Sequence, residues 1–182
     1  MKNIQRTLLP WFIMLIGLIL LVVIYNMKQP VETDKEMPTD LHPIVKEKKE
    51  TLIYKTAAKN IQVVITDGLR TVKEQNELYD RGRETNGRKI TNAKGGESYH
   101  NYGLAIDYAL KNPAGEVIWD IEYDGNSNGK SDWLEVASIA KELGFEWGGD
   151  WKAFKDYPHL QMTFGLSIAE LQRGSRPDEK EG

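Results

Sequence analysis

Two stretches decide the fold of this chain, "ESYHNYGLAIDYAL" at residues 97–110 and "KDYPHLQMTF" at residues 155–164. In the first, large apolar residues occupy every second position, which is the period of a β-strand, so Asp107 points to the opposite face. In the second, every second residue from His159 is polar. If the two strands are neighbours in one sheet, Asp107 and His159 face the same cavity.

A third side chain, His100, completes a candidate zinc site. It precedes a turn at Gly103, so it can fold over the pair. Two imidazoles and one carboxylate are a donor set of catalytic zinc, which keeps a fourth position open for water. The ion lowers the pKa of that water and polarises the carbonyl that it attacks. Asp156 stands three residues before His159, and Pro158 keeps the backbone between them extended, so Asp156 can act as a base without being a ligand.

Each of these features also has an ordinary structural explanation. A lone histidine beside a strand is most often a packed or surface residue, and an H-x6-D pair alone is a weak motif. Asp156 could be a simple turn residue before a proline. The zinc hypothesis therefore depends on the combination of these residues and not on any one of them.

Composition limits the class of protein. The chain has 182 residues, 40% hydrophobic and 28% charged, which predicts one core and one folded domain. Its net charge of -3 argues against a nucleic-acid-binding protein, which normally carries a concentrated basic face. The absence of cysteine excludes disulfides, thiolate metal sites and a cysteine nucleophile.

The amino-terminal segment predicts a membrane anchor. The stretch "TLLPWFIMLIGLILLVVIYNM" at residues 7–27 carries no charge, and a bilayer core needs roughly 20 apolar residues. No small residues in an A-x-A-like pattern follow it, which favours an uncleaved anchor over a signal peptide. We therefore expect a single-pass anchor over residues 1–27 and a polar stem over residues 28–40. The remainder would lie outside the cytoplasm, with secretion to the cell wall as the alternative.

The folded domain is expected over residues 41–173, and the charged tail over residues 174–182 is predicted to be disordered. A helix should open at Pro43, with a buried stripe formed by Ile44, Val45, Lys48, Leu52 and Ala57. The β-branched run "IQVVIT" predicts a strand that ends at the Asp67-Gly68 turn.

A second helix is expected directly after that strand. Thr71 and Glu74 form a capping-box pattern, and the helix should stop at Gly82. Arg70 then lies at a junction between strand and helix, where side chains commonly project into a cleft.

Four segments resemble motifs of one known family. "SYHNYGLAID" resembles S-x-H-x-x-G-x-A-x-D, "DYPHLQ" resembles D-x-P-H, and "GLRTVKEQNELYDRGR" is similar to R-[ST]-x-x-E-Q-x-x-L-Y. "GFEWGGDWKAF" is similar to a tryptophan-glycine block. The family is that of the zinc D-alanyl-D-alanine carboxypeptidases and L-alanyl-D-glutamate endopeptidases, which trim bacterial peptidoglycan. The resemblance covers roughly Gly68 to Phe164 and implies an α+β fold of the Hedgehog/DD-peptidase type, a small antiparallel sheet flanked by helices.

The resemblance also implies roles for individual residues. The zinc ligands would be His100, Asp107 and His159. Asp156 would be the base, and Arg70 the cation that holds the substrate carbonyl and the developing oxyanion. Ser98 and Gln75 would bind substrate. Family dipeptidases commonly have glutamate where this chain has Asp156, so the aspartate resembles the endopeptidase branch.

Three functions are therefore compared. The first is a zinc endopeptidase that cleaves between L-alanine and D-glutamate in peptidoglycan stem peptides, acting as a monomer. The second is a D,D-carboxypeptidase acting on D-alanyl-D-alanine termini, and the third is a non-catalytic cell-wall-binding module of the same fold. Asp156 together with Arg70 favours catalysis, because a binding module has no need of a base beside an open metal position.

A possible calcium loop lies between the two halves of the zinc motif. "DGNSNGKSDWLE" at residues 124–135 fits a twelve-residue EF-hand loop. The candidate ligands are Asp124, Asn126, Asn128, the carbonyl of Lys130, Asp132 and Glu135. Against this, Ser131 replaces the usual apolar residue and no convincing helix precedes the loop. The alternative is an Asn-Gly turn that caps the following helix.

Overall fold

The computed structural model describes residues 16–17, 36–81, 83 and 89–178. The chain divides into two units, residues 1–34 and 35–182, and the fold below belongs to the second. The predicted anchor and most of the predicted stem fall outside the described residues, apart from a helical Ile16 and Gly17. Within the described ranges, no helix combines the length and the apolar composition needed to cross a bilayer.

The first helix of the domain, α1 (Pro43–Ala57), begins where the sequence predicted. Proline occupies its first turn, where a missing N–H costs no helical hydrogen bond. Val45 and Leu52 are buried as expected, but Ala57 is exposed and Thr56 is buried in its place. The Thr56 hydroxyl donates to the carbonyl of Ile53 (3.0 Å), so its burial leaves no unpaired hydroxyl.

Five antiparallel strands form a single sheet within the described part of the chain. They are β1 (Gln62–Asp67), β2 (Ala105–Lys111), β3 (Val117–Ile118), β4 (Glu146–Trp147) and β5 (His159–Gln161). The order is β1-β2-β5-β4, and β3 pairs with β2 beside that path. The α+β class and the small antiparallel sheet are therefore confirmed.

Strand β2 is covered on both faces. The predicted apolar face is buried, and so are the two alanines of the opposite face, Ala105 and Ala109. Asp107 lies between these alanines and keeps 22% of its side chain exposed. The small neighbours leave room for imidazole rings beside the carboxylate.

Among the described residues, three further α-helices follow: α2 (Val72–Asp80), α3 (Asp132–Glu142) and α4 (Ile168–Gln172). The capping box at Thr71 and Glu74 is present as predicted, and α2 ends at Asp80, two residues before Gly82. Helix α3 contributes Trp133, Val136 and Ala140 to the same core cluster as the apolar face of β2.

The start of the predicted disordered tail is ordered in the structure. Gly174 and Ser175 donate backbone hydrogen bonds to Leu171 and Glu170 of α4. The Arg176 guanidinium lies over the ring of Tyr102, 5.0 Å from its centroid. The charged composition of residues 174–182 gives no sign that one of these side chains contacts a buried aromatic ring.

Candidate active site

Strand register places Asp107 beside His159. The two residues are direct partners in the antiparallel pairing of β2 with β5. Asp107 Oδ1 lies 3.2 Å from His159 Nδ1 and 3.3 Å from His100 Nε2. The two imidazole nitrogens are 3.2 Å apart, and all three donor atoms lie within 4.8 Å of one another. The structure therefore brings together the three side chains that the sequence proposed as zinc ligands.

The chemistry of this donor set fits a metal ion. His100 Nδ1 lies 2.7 Å from the carbonyl oxygen of Gly68, which can only accept, so Nδ1 carries a proton and Nε2, on the side of the cluster, is the nitrogen that a metal could bind. Burial alone would raise the pKa of Asp107, yet hydrogen bonds and charge from His100 and His159 outweigh it and hold that pKa well below its ordinary value. A carboxylate and an imidazole lone pair that converge in a buried pocket are what a divalent cation stabilises.

His100 is delivered by a short 3-10 helix, Tyr99–Tyr102, that turns sharply into β2. Gly103 follows this helix with φ +68°, in the left-handed region that favours glycine. An added Cβ there would also lie 2.6 Å from the carbonyl oxygen of Asp40. Only glycine therefore suits the turn that folds His100 over Asp107.

Asp156 lies in the loop before β5, next to the candidate metal-binding triad. Its backbone N–H donates to the carbonyl of Gly148 (3.1 Å), and its own carbonyl accepts from the N–H of His159 (3.2 Å). Burial raises the pKa of Asp156, and the negative charge of Asp107 adds to the rise. A carboxylate with a raised pKa is better suited to accept and return a proton near neutral pH.

Arg70 is fixed by three side chains. Its Nε lies 3.1 Å from Asp67 Oδ2, its Nη1 donates to Gln75 Oε1 (2.7 Å), and its Nη2 lies 3.5 Å from Asp107 Oδ2. A register shift in β1 between Ile65 and Asp67 sets Asp67 opposite Asp107. The guanidinium is thus held rigidly at the edge of the triad.

The two predicted substrate-binding residues have other contacts. Gln75 is fully buried, and besides Arg70 it binds the carbonyl of Ala93 (2.8 Å). It therefore holds Arg70 in place and does not face the cleft. Ser98 lines the cleft, while its hydroxyl caps the 3-10 helix by accepting from the N–H of His100 (3.4 Å).

All four reactive groups open onto one cleft of about 640 Å³. They are His100, Asp107, Asp156 and His159, with Arg70 beside them. The rim of the cleft carries aromatic and aliphatic side chains that are more than half exposed, namely Trp119, Phe154 and Ile90. Trp151 lies closer in, with its ring 5.1 Å from that of His159. The candidate metal donors therefore lie in a cleft whose rim offers apolar contacts to a substrate.

The EF-hand-like loop has a closed network of hydrogen bonds. The amides of Asn126 and Asn128 both donate to Glu135 Oε2 (3.1 and 2.7 Å), and Asp124 accepts from the N–H groups of Asn128 and Gly129. Ser131 caps α3, as the turn-and-cap alternative requires. The N–H of Lys130 donates to Asn128 Oδ1 (2.9 Å).

Asp132 differs from the other candidate ligands of that loop in its hydrogen bonding. Its Oδ2 accepts from the N–H of Gly125 (3.0 Å), while its Oδ1 is buried and has no hydrogen-bond partner among the described residues. Burial raises the pKa of this carboxyl group.

Sequence reasoning missed the residues that support the reactive groups. Asp67 and Gly68 were interpreted only as a turn, yet they hold Arg70 and His100. Gln161 was placed on the polar face of β5, but its contact with His159 Nε2 (2.9 Å) was not foreseen. Its partner Glu146 (2.9 Å) lies on a strand that carries no alternating signal.

Known proteins are similar to this chain in sequence. The family model described as D-alanyl-D-alanine carboxypeptidase matches residues 91–162, which include both quoted stretches except the Thr163-Phe164 end. The peptidoglycan L-alanyl-D-glutamate endopeptidase CwlK of Bacillus subtilis (strain 168) is 65% identical over 129 residues, which cover 71% of this chain and 77% of that protein.

A more distant relative and a solved structure are also similar to this chain. The L-alanyl-D-glutamate peptidase of Listeria phage A118 is 33% identical over 104 residues, 57% of this chain and 31% of the phage protein. The structure of VanYB in complex with D-alanine-D-alanine has a TM-score of 0.52 at 16% identity and covers 82% of this chain and 95% of that one. At that identity the likeness concerns the fold alone.

Proposed function

Because this chain belongs to the peptidase family described as D-alanyl-D-alanine carboxypeptidase, we propose that it is a zinc-dependent peptidoglycan hydrolase that cleaves the bond between L-alanine and D-glutamate in stem peptides. The observation that carries the proposal is the convergence of His100, Asp107 and His159 in a cleft that also holds Asp156 and Arg70. The relative named as an L-alanyl-D-glutamate endopeptidase supports the choice of bond.

Each residue of the cleft has a chemical task in this proposal. His100, Asp107 and His159 would hold zinc, which supplies an activated water and polarises the scissile carbonyl. Asp156 takes the proton of the attacking water and delivers it to the leaving amine. The Arg70 guanidinium, oriented by Asp67 and Gln75, stabilises the negative charge that develops on the carbonyl oxygen.

Digestion of purified sacculi tests the proposal. New D-glutamate amino termini, identified by mass spectrometry, are expected with the wild type and not with Asp156→Ala. Release of free D-alanine without such termini would identify a D,D-carboxypeptidase, as the family description suggests. Binding to sacculi with no new product would identify a non-catalytic module.

We further propose that the loop at residues 124–135 binds calcium weakly, at about 10⁻⁴ to 10⁻³ M, as in extracellular modules. The unpartnered, buried Asp132 Oδ1 supports this, because a cation would satisfy it. An ion there would fix the start of α3. Asp124→Ala and Glu135→Gln should each remove a calcium-dependent rise in melting temperature. Equal melting temperatures of the wild type with and without millimolar calcium would show that the loop is only a turn that caps α3.

We also propose that the domain works outside the cytoplasm as a monomer, attached by the uncharged segment at residues 7–27. The support is the sequence pattern together with the location of peptidoglycan. Fractionation of cells that express the full chain tests the attachment to the membrane. Protease added to intact spheroplasts tests whether the domain lies outside the cytoplasm. Recovery of the chain in the medium would indicate a cleaved signal peptide.

A further inference from the structure

A chain of hydrogen bonds leads away from the triad through His159. Its Nε2 lies 2.9 Å from Gln161 Oε1, Gln161 Nε2 lies 2.9 Å from Glu146 Oε2, and the Thr163 hydroxyl lies 3.0 Å from Glu146 Oε1. Gln161 and Glu146 are direct partners in the pairing of β4 with β5. His159 and Gln161 share one face of β5 because they are two residues apart. Strand register therefore sets the contacts of Gln161 with His159 and Glu146.

The direction of each hydrogen bond follows from the group at its end. An ionised carboxylate only accepts, so Glu146 requires the amide NH₂ of Gln161 on its side. The amide oxygen of Gln161 then faces His159, and because it also only accepts, it favours the proton of the neutral ring on Nε2. The Nδ1 lone pair is then free for a metal; without the ion, Asp107 Oδ1 at 3.2 Å also only accepts and competes with Gln161 for the ring proton.

We propose that Glu146 and Gln161 are positioning residues that hold His159 in the tautomer whose Nδ1 lone pair faces the metal. The inference rests on the proposed role of His159 as a ligand. A reversed amide would direct its NH₂ at Nε2 and favour the proton on Nδ1, where it would block coordination. Partners of this kind orient the ligand and typically contribute 10–100-fold in metal affinity.

Because Gln161 is buried, the effects of Gln161 and Glu146 on His159 are coupled. Gln161 and His159 are each 7% exposed, so water has little room to replace the amide. Glu146 is exposed, yet both of its oxygens are engaged by Gln161 and Thr163. Glu146 can therefore be changed without opening a cavity, and its effect on His159 must pass through Gln161.

Two variants and one control test the proposal. Gln161→Met keeps the volume but removes the acceptor, and Glu146→Gln removes the fixed direction of the amide. Glu116→Gln is the matched control, because Glu116 is also an exposed acceptor of a side-chain amide, from Asn112 (2.7 Å). The tautomer of His159 is measured from the ring ¹⁵N shifts of metal-free protein above the pH of imidazole titration. Zinc affinity is measured by competition with a chromophoric chelator.

The wild type and Glu116→Gln should show the same ratio of the two His159 tautomers and equal zinc affinity. Gln161→Met should bind zinc about 10–100-fold more weakly, and Glu146→Gln should shift the tautomer ratio towards the proton on Nδ1 and show a smaller loss. Glu146→Gln should add nothing in the Gln161→Met background. Wild-type tautomer and affinity in Glu146→Gln would overturn the proposal, even if Gln161→Met failed to fold. Failure of the wild type to bind zinc would refute the proposed function, while the tautomer of metal-free protein would still decide the role of Glu146.

Discussion

Replacing Gly148 tests directly how Asp156 is placed. A Cβ at this position would lie 2.5 Å from the carbonyl oxygen of Asp156, 3.0 Å from its Cβ and 3.2 Å from the Cβ of His159. Two of these neighbours are in the proposed base and one is in a proposed metal ligand. Gly148→Ala must therefore displace the segment that carries both.

The size of the displacement sets the expected effect. Ordinary contact begins at 3.4 Å, so the carbonyl of Asp156 must retreat by about 0.9 Å. A misplacement of about 1 Å in an active site can cost on the order of 10²-fold in rate. Overpacking by one methyl group typically costs about 1–3 kcal/mol of stability. We expect Gly148→Ala to lower kcat/KM about 10²-fold, with a stability loss in that range.

The assay must separate displacement of the site from loss of stability. Gly115→Ala is the control, because Gly115 has φ +83° but no atom within 4 Å of an added Cβ, and it does not line the cleft. It should cost about 1–2 kcal/mol through strain and leave kcat/KM unchanged. Turnover of a defined stem peptide, zinc content and the melting temperature are compared in all three proteins. Wild-type kcat/KM in Gly148→Ala would refute this placement of Asp156 and His159.

Four other substitutions test the remaining groups. His100→Ala should lose zinc on dialysis because two donors make an inadequate site; stoichiometric zinc by atomic emission would contradict the triad. Asp156→Ala should keep zinc and lose on the order of 10²-fold in kcat; near-normal turnover would assign proton transfer to another residue. Arg70→Ala should keep zinc and lose about 10²–10³-fold in kcat/KM, and a smaller loss would exclude an oxyanion role. Asp132→Asn should raise the calcium-free melting temperature, since burial raises the pKa of Asp132 and thus disfavours its ionised form in the folded state; a lower melting temperature would refute this.

The meeting of Asp107 and His159 could be predicted because it depends on local periodicity. Alternation along each strand fixes which face a side chain takes, and that pattern is present in a few consecutive residues. The capping box at Thr71 is local in the same sense. These features required only the assumption that β2 and β5 are neighbours, which the pairing of the two strands confirms.

The supporting residues could not be predicted because they depend on contacts between distant segments. Asp67 faces Arg70 and Asp107 only because β1 has a register shift, and no turn signal specifies one. Gln75 has the polarity of a substrate-binding residue, yet the packing of residues 91–93 buries it. Glu146 acquires a partner only when β4 pairs with β5.

The metal site and the arginine meet at Asp107, whose two oxygens face different partners. Oδ1 lies near both imidazole nitrogens, while Oδ2 lies 3.5 Å from Arg70 Nη2. Because Arg70 Nη2 lies beside Oδ2, the carboxylate would offer zinc only Oδ1, and a position for water would stay open, as catalysis requires. Without Arg70, Oδ2 would be free to act as a second donor. A loss of activity in Arg70→Ala would therefore have two contributions. One is the lost stabilisation of the oxyanion, and the other is the lost position for water. A rise in zinc affinity in that variant would identify the second contribution.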